Sequence, residues 1–165
     1  MNLNGFEIER KFLIRYPDEA ALLSFPEVRR LCLQQTYLND RRRVRRIEEG
    51  EKLSYIVTFK EKITDVTRIE RESEISAAEY EELLKLRDPT RGTVTKTRYC
   101  IPFEGKLFEL DVFPFWSDRA FLEIELESED ETFNIPPFIE VIKEVTDDVR
   151  YRNSALAKEI FTEEI

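Results

Sequence analysis

The side chains able to do chemistry in this sequence are carboxylates, lysines and arginines, and they come in sets spaced two apart. Glu7, Glu9 and Lys11 form the first set. Arg43 and Arg45 follow, then Arg68, Glu70, Glu72 and Glu74, then Lys96 and Arg98, Glu109 and Asp111, and Glu123 and Glu125, with Lys60 alone. Residues two apart on a strand share a face, so each set makes a charged row. Rows of Arg forks and Lys ammonium groups supply the many donors that phosphoryl oxygens need. Rows of carboxylates offer clustered hard oxygens, which suit Mg²⁺ or Mn²⁺ rather than zinc. A polyphosphate carrying a divalent ion needs both kinds. Any one row alone reads as the solvated face of a strand. The recurrence of rows of both signs is what argues for a single internal site.

Other chemistries are excluded by what is missing. There is no histidine, which removes Ser-His-Asp and Cys-His mechanisms, phosphohistidine chemistry and histidine-ligated zinc. The four glycines, Gly5, Gly50, Gly92 and Gly105, are isolated, so neither a P-loop nor a dinucleotide fingerprint exists. A net charge of −9 speaks against a nucleic-acid surface, including one built on the basic cluster from Arg41 to Arg46. No apolar run reaches membrane-spanning length, and Glu7, Glu9 and Asp18 fall where a signal peptide would be apolar; a cytoplasmic protein is expected. Cys32 and Cys100 have no paired spacing and read as buried free thiols.

The elements that must position these rows follow from periodicity. A chain of 165 residues with 41% apolar content is expected to form one domain over 1–165. In the first strand Phe6, Ile8 and Phe12 alternate with Glu7, Glu9 and Lys11. Further strands are expected over 31–38 and 41–47, joined by Asn39-Asp40, and over 52–60, 66–75, 93–101, 107–113 and 119–128. Helices are expected over 18–25 behind Asp18, over 77–87 behind a Ser76–Glu79 capping box, and over 153–161. Trp116 reads as loop or rim packing. This makes about eight strands with hairpin spacing. The fold class expected is α+β: eight antiparallel strands can close into a β-barrel, and where a sandwich would turn its charged faces to water, helices over the apolar faces would leave a barrel with a charged interior. Such an interior is costly unless its charges pair, are hydrated or hold a charged ligand.

Glu7-Ile8-Glu9-Arg10-Lys11 resembles the ExExK motif of the CYTH, or triphosphate tunnel metalloenzyme, family. The similarity continues in order through Gln35-Thr36-Tyr37-Leu38, Arg43-Val44-Arg45, Thr58-Phe59-Lys60, Arg68 with Glu70, Glu72 and Glu74, Lys96-Thr97-Arg98-Tyr99, Glu109 and Asp111, Glu123-Ile124-Glu125, and Glu144-Val145-Thr146 leading to Tyr151-Arg152-Asn153. It covers nearly the whole chain.

The resemblance implies an eight-stranded tunnel with Glu7, Glu9, Glu123, Glu125 and Asp111 as metal ligands for Mg²⁺ or Mn²⁺. Lys11, Arg43, Arg45, Lys60, Lys96 and Arg98 would bind the phosphate chain, with Glu7, Glu9, Lys11, Glu123 and Glu125 as the catalytic set. Arg68 and the row Glu70, Glu72, Glu74 would be tunnel wall. The implied activity is hydrolysis of a triphosphate-containing small molecule, first of all inorganic tripolyphosphate to pyrophosphate and phosphate, by a monomer or homodimer with no nucleic-acid or membrane partner. The alternatives are a nucleoside or thiamine triphosphatase, an adenylate cyclase of the same fold, or a non-catalytic polyphosphate- or nucleotide-binding module. The last relies on cations alone and leaves the four glutamates without a role.

Overall fold

The computed structural model describes residues 6–64 and 66–165. Alternating sequence gives nine strands: β1 (Phe6–Arg15), β2 (Arg29–Tyr37), β3 (Arg42–Glu49), β4 (Lys52–Lys62), β5 (Thr67–Ile75), β6 (Val94–Phe103), β7 (Lys106–Val112), β8 (Arg119–Leu126) and β9 (Val141–Glu144). They are ordered β5-β4-β3-β2-β6-β7-β8-β1-β9, and β5 also pairs with β1, which closes the first eight into an antiparallel barrel. β5 meets β1 only from Phe6 to Ile8, and β9 takes the same edge of β1 from Phe12 to Ile14. The eight strands read from periodicity are therefore all present. The ninth, four residues long, has no alternation to reveal it.

The outward parity is apolar, as expected, and three layers cover it or fill the barrel end. Helix α1 (Glu19–Ser24), capped by Asp18 accepting from Ala20 and Ala21, places Leu22 against Phe12, Ile14, Ile101, Phe108 and Leu122. Phe133, Ile135, Phe138 and Ile139, from a segment without helix or strand, complete that cover. The side chain of Phe6, read as sharing this face, lies outside the described residues. Helix α2 (Ala77–Leu84) packs Tyr80, Leu83 and Leu84 over Val44, Tyr55 and Val57. It begins with the expected capping box, Ser76 accepting from Glu79 N and Glu79 returning to the Ser76 backbone. Replacing Ser76 by Ala should cost about 1 kcal/mol in urea denaturation, the usual worth of such a cap, with cavity chemistry unaffected.

The third layer differs from the expectation. Leu13, Phe113 and Phe121 have the inward parity, and with Trp116, Val145, Tyr151 and Leu156 they form an aromatic cluster that plugs the barrel on the β1, β7 and β8 side. Trp116 is therefore core, 4% exposed, not rim. The expected closing helix over 153–161 shortens to α3 (Asn153–Leu156), preceded by a 3-10 turn (Val149–Tyr151) that carries Tyr151 into the plug.

Candidate active site

Register brings the inward rows together. On β1 and β8, Lys11 lies opposite Glu123 and Glu9 opposite Glu125; on β7 and β8, Glu109 lies opposite Glu123. These neighbours make one acidic wall. Across the barrel from it, β3 supplies Arg43 and Arg45 and β4 supplies Thr58 and Lys60, while β6, beside β7, supplies Lys96 and Arg98. Between the walls is a cavity of about 740 Å³, lined by Glu7, Glu9, Lys11, Arg43, Arg45, Lys60, Arg68, Glu70, Glu72, Lys96, Arg98, Glu109, Glu123 and Glu125 among others. Ten of the eleven residues read from sequence as the site line this one space.

Asp111 is the exception. It is fully buried and takes no part in the lining; its Oδ1 accepts from Arg98 Nε at 2.8 Å, while Oδ2 accepts from Arg98 Nη2 at 2.9 Å and pairs with Lys96 Nζ at 2.8 Å. With both oxygens engaged by two cations, it orients Lys96 and Arg98 instead of presenting oxygen to the cavity. The β7 carboxylate that does face the cavity is Glu109, which also pairs with Arg98. Glu74 likewise departs from its row: it is exposed and does not line the cavity, while Glu70 and Glu72 do.

The cations of the charged strand rows each have a carboxylate within reach. Lys60 Nζ is 3.1 Å from Glu7 Oε1, Arg68 Nη1 3.3 Å from Glu9 Oε1, Lys11 Nζ 3.6 Å from Glu123 Oε1, Arg45 Nη2 2.9 Å from Glu72 Oε2, and Arg43 Nη2 4.0 Å from Glu70 Oε1. Pairing offsets the desolvation penalty but leaves atoms over. Glu7 Oε2 is a buried acceptor with no partner, and Arg43 Nε, Arg45 Nε and the Thr58 hydroxyl are buried without one. Unmet polar groups of both kinds in one cavity are what a ligand with anionic oxygens and a cation would satisfy.

Electrostatics agree. Burial, together with the charges of Glu123, Asp111 and Glu9, holds Glu109 above the ordinary carboxylate range despite Arg98. Burial and the charges of Glu109 and Glu9 do the same to Glu125. Burial likewise raises Glu9, and a hydrogen bond with Glu7 favours its protonated form; the same bond, with Lys60 and Arg43, outweighs burial at Glu7 and lowers it. Carboxyls pushed apart in this way mark a place where negative charge is in excess. On the opposite wall, burial and repulsion from Arg43 and Arg98 bring Arg45 down to about 10, and burial brings Lys96 to about 8 despite Asp111. Each wall is crowded with its own sign.

Two contributions to the cavity carry no sequence signal of period or charge. Leu31, Leu33, Ile47 and Ile56 line part of it from β2, β3 and β4. The C-terminal segment lines it through Val145, Thr146, Tyr151, Arg152, Asn153 and Ser154, and Lys11 holds that segment: its N–H donates to Thr146 Oγ1, its carbonyl accepts from Val145 N, and its Nζ donates to Tyr151 O at 2.8 Å. Lys11, read as a phosphate ligand, thus also anchors this segment, and its ammonium lies 3.9 Å over the Phe121 ring.

The residues present fit a divalent ion by chemistry: Glu7, Glu9, Glu109, Glu123 and Glu125 are acceptors only, close-set by register, and Glu7 Oε2 is orphaned. Among the described residues no three carboxylates converge into a finished cage, since Lys60, Arg68 and Lys11 each draw one aside.

A closed antiparallel barrel whose interior opposes a carboxylate wall to an Arg and Lys wall defines a tunnel for a polyanion accompanied by a cation. The chain belongs to the CYTH domain family, whose model matches residues 5–143. It is 37% identical to an inorganic triphosphatase of Nitrosomonas europaea over 93% of this chain and 98% of that one, and 32% identical to an inorganic triphosphatase of Acetivibrio thermocellus over 93% and 94%. The crystal structure of an inorganic triphosphatase superposes with a TM-score of 0.56 at 36% identity, covering 93% of this chain and 95% of that one. Membership implies a divalent metal. Among the described residues no helix is long and apolar enough to cross a membrane.

Proposed function

We propose that this chain hydrolyses inorganic tripolyphosphate to pyrophosphate and phosphate, with Mg²⁺ or Mn²⁺ held by Glu7, Glu9, Glu123 and Glu125 and, in place of Asp111, by Glu109. The observation that carries this reading is the opposition of two crowded charged walls across one cavity. Arg43, Arg45, Lys60, Lys96 and Arg98 exchange carboxylate partners for phosphoryl oxygens, and the orphaned Nε atoms of Arg43 and Arg45 gain acceptors. When bound, the ion neutralises charge on the bridging and terminal oxygens. A carboxylate of the acidic wall orients water for in-line attack on the terminal phosphorus and accepts its proton; Glu9, Glu109 and Glu125, held above the ordinary range, are suited to that. The bridging P–O bond breaks and pyrophosphate leaves with the electron pair. All of these residues come from one chain, so a monomer carries a complete site.

Leu31, Leu33, Ile47 and Ile56 favour a second reading, in which an organic triphosphate places its apolar group against β2, β3 and β4. A panel of tripolyphosphate, nucleoside triphosphates and thiamine triphosphate, run with Mg²⁺ and with Mn²⁺, decides. Phosphate and pyrophosphate in equal amounts from tripolyphosphate, at a kcat/KM well above that for any organic substrate, is the expected result. Cyclic AMP with pyrophosphate from ATP would mean a cyclase, and no product from any member would mean a binding module.

A further inference from the structure

Arg152 lies past residues 5–143, the stretch matched by the family model, and outside the barrel strands, yet its side chain lines the cavity. Its Nε is buried with no hydrogen-bond partner, and no described residue forms an ion pair with its guanidinium. In this it differs from Arg43, Arg45, Lys60, Lys96 and Arg98, each of which has a carboxylate beside it. A guanidinium cannot shed its charge, so a half-buried one without an anion is held at a cost that an anionic ligand removes.

The residues on either side of Arg152 are held by the barrel's own cations. Lys11 Nζ donates to the carbonyl of Tyr151 at 2.8 Å, Lys96 Nζ reaches Asn153 Oδ1 at 3.5 Å, and the Tyr151 ring is fully buried in the aromatic plug. The chain at Arg152 is therefore already in place when a ligand arrives, and only its side chain has to be ordered.

We infer that Arg152 is a substrate-binding residue, supplied by the C-terminal segment, that grips a phosphoryl group of tripolyphosphate within the cavity. This rests on the tripolyphosphatase reading. Its fork geometry suits two oxygens of one phosphoryl group, and no carboxylate has to be displaced for it to bind.

The test uses Arg152→Met, which keeps an apolar stem of similar length, and Arg152→Lys. Two quantities are read: KM and kcat for tripolyphosphate with Mg²⁺, and the rise in Tm that tripolyphosphate produces without metal. Losing one charge-assisted contact should raise KM for Arg152→Met about 10- to 100-fold and shrink the Tm rise, with the ligand-free Tm kept; Arg152→Lys should recover part of both. Wild-type KM and an undiminished Tm rise in Arg152→Met, beside an active wild type, overturn the assignment of Arg152 alone. A wild type that neither hydrolyses tripolyphosphate nor is stabilised by it overturns the tripolyphosphatase reading and this inference with it.

Discussion

Glu123→Gln and Glu125→Gln should each lose at least about 100-fold in kcat/KM at saturating Mg²⁺, because even a residue that merely supports a metal ligand is worth about 10- to 100-fold. Gln keeps size and one carbonyl acceptor but removes the charge that holds a hard divalent ion. The fold should survive both changes. Glu125 sits on the exposed, cavity-facing parity of β8, and burial with the charges of Glu109 and Glu9 raises its carboxyl. A carboxyl whose folded value is raised opposes folding above that value, so Glu125→Gln should unfold no earlier than wild type while its turnover collapses. Glu123 pairs with Lys11 at 3.6 Å, and Lys11 keeps its bond to Tyr151 O when that partner goes. Steady-state kinetics alongside thermal unfolding separates loss of chemistry from loss of structure. Unchanged turnover in either variant would remove that residue from the metal set.

That ten of the eleven residues read from sequence line one cavity, and Asp111 does not, follows from what parity encodes. Alternation tells which side of a strand a residue faces, and Asp111 does face inward with Glu109. It does not tell depth. Further along the same inward faces stand Leu13, Phe113 and Phe121, which fill the barrel end, and Asp111 lies at that level, sealed from the cavity. A charged residue in an apolar neighbourhood two positions from Phe113 was the available hint. The barrel strands were legible because each must separate an apolar face from a charged one. The C-terminal segment, where Arg152 and Asn153 enter the cavity, showed only through the resemblance at Tyr151-Arg152-Asn153 and not through periodicity, because its position is set by tertiary contacts from Lys11 and by burial of Tyr151. A four-residue β9 after Pro136-Pro137 is likewise defined only by the free edge of β1 that it covers.

Arg98→Ala should weaken tripolyphosphate binding and folding together, in proportions that the surrounding geometry sets. The guanidinium makes two bonds to Asp111, at 2.8 and 2.9 Å, and also pairs with Glu109. Removing it leaves a fully buried carboxylate with Lys96 as its remaining cation, and breaking a buried pair in this way costs about 3–5 kcal/mol. Over all but the bottom of the typical reserve of about 5–15 kcal/mol the domain stays folded at 25 °C, so binding can still be measured. Burial alone would raise the Asp111 carboxyl, but Arg98 and Lys96 reverse that and hold it well below the ordinary carboxylate range. With its folded value depressed, Asp111 contributes stability that is full above the unfolded value, about 3.9, and is lost as pH falls through the folded one. The stability gap between wild type and Arg98→Ala should therefore be widest near neutral pH and narrow below about pH 3.9. Affinity for tripolyphosphate, measured by calorimetry, should fall about 10- to 100-fold with the charge-assisted contact gone, while Mg²⁺ binding persists because no metal ligand is removed. Arg98→Lys should recover only part of the affinity, since an ammonium restores charge without the two-pronged donor that Asp111 orients. Normal tripolyphosphate affinity in Arg98→Ala, with wild-type kinetics, would mean that Arg98 serves Asp111 and Glu109 alone and that β6 meets substrate through Lys96.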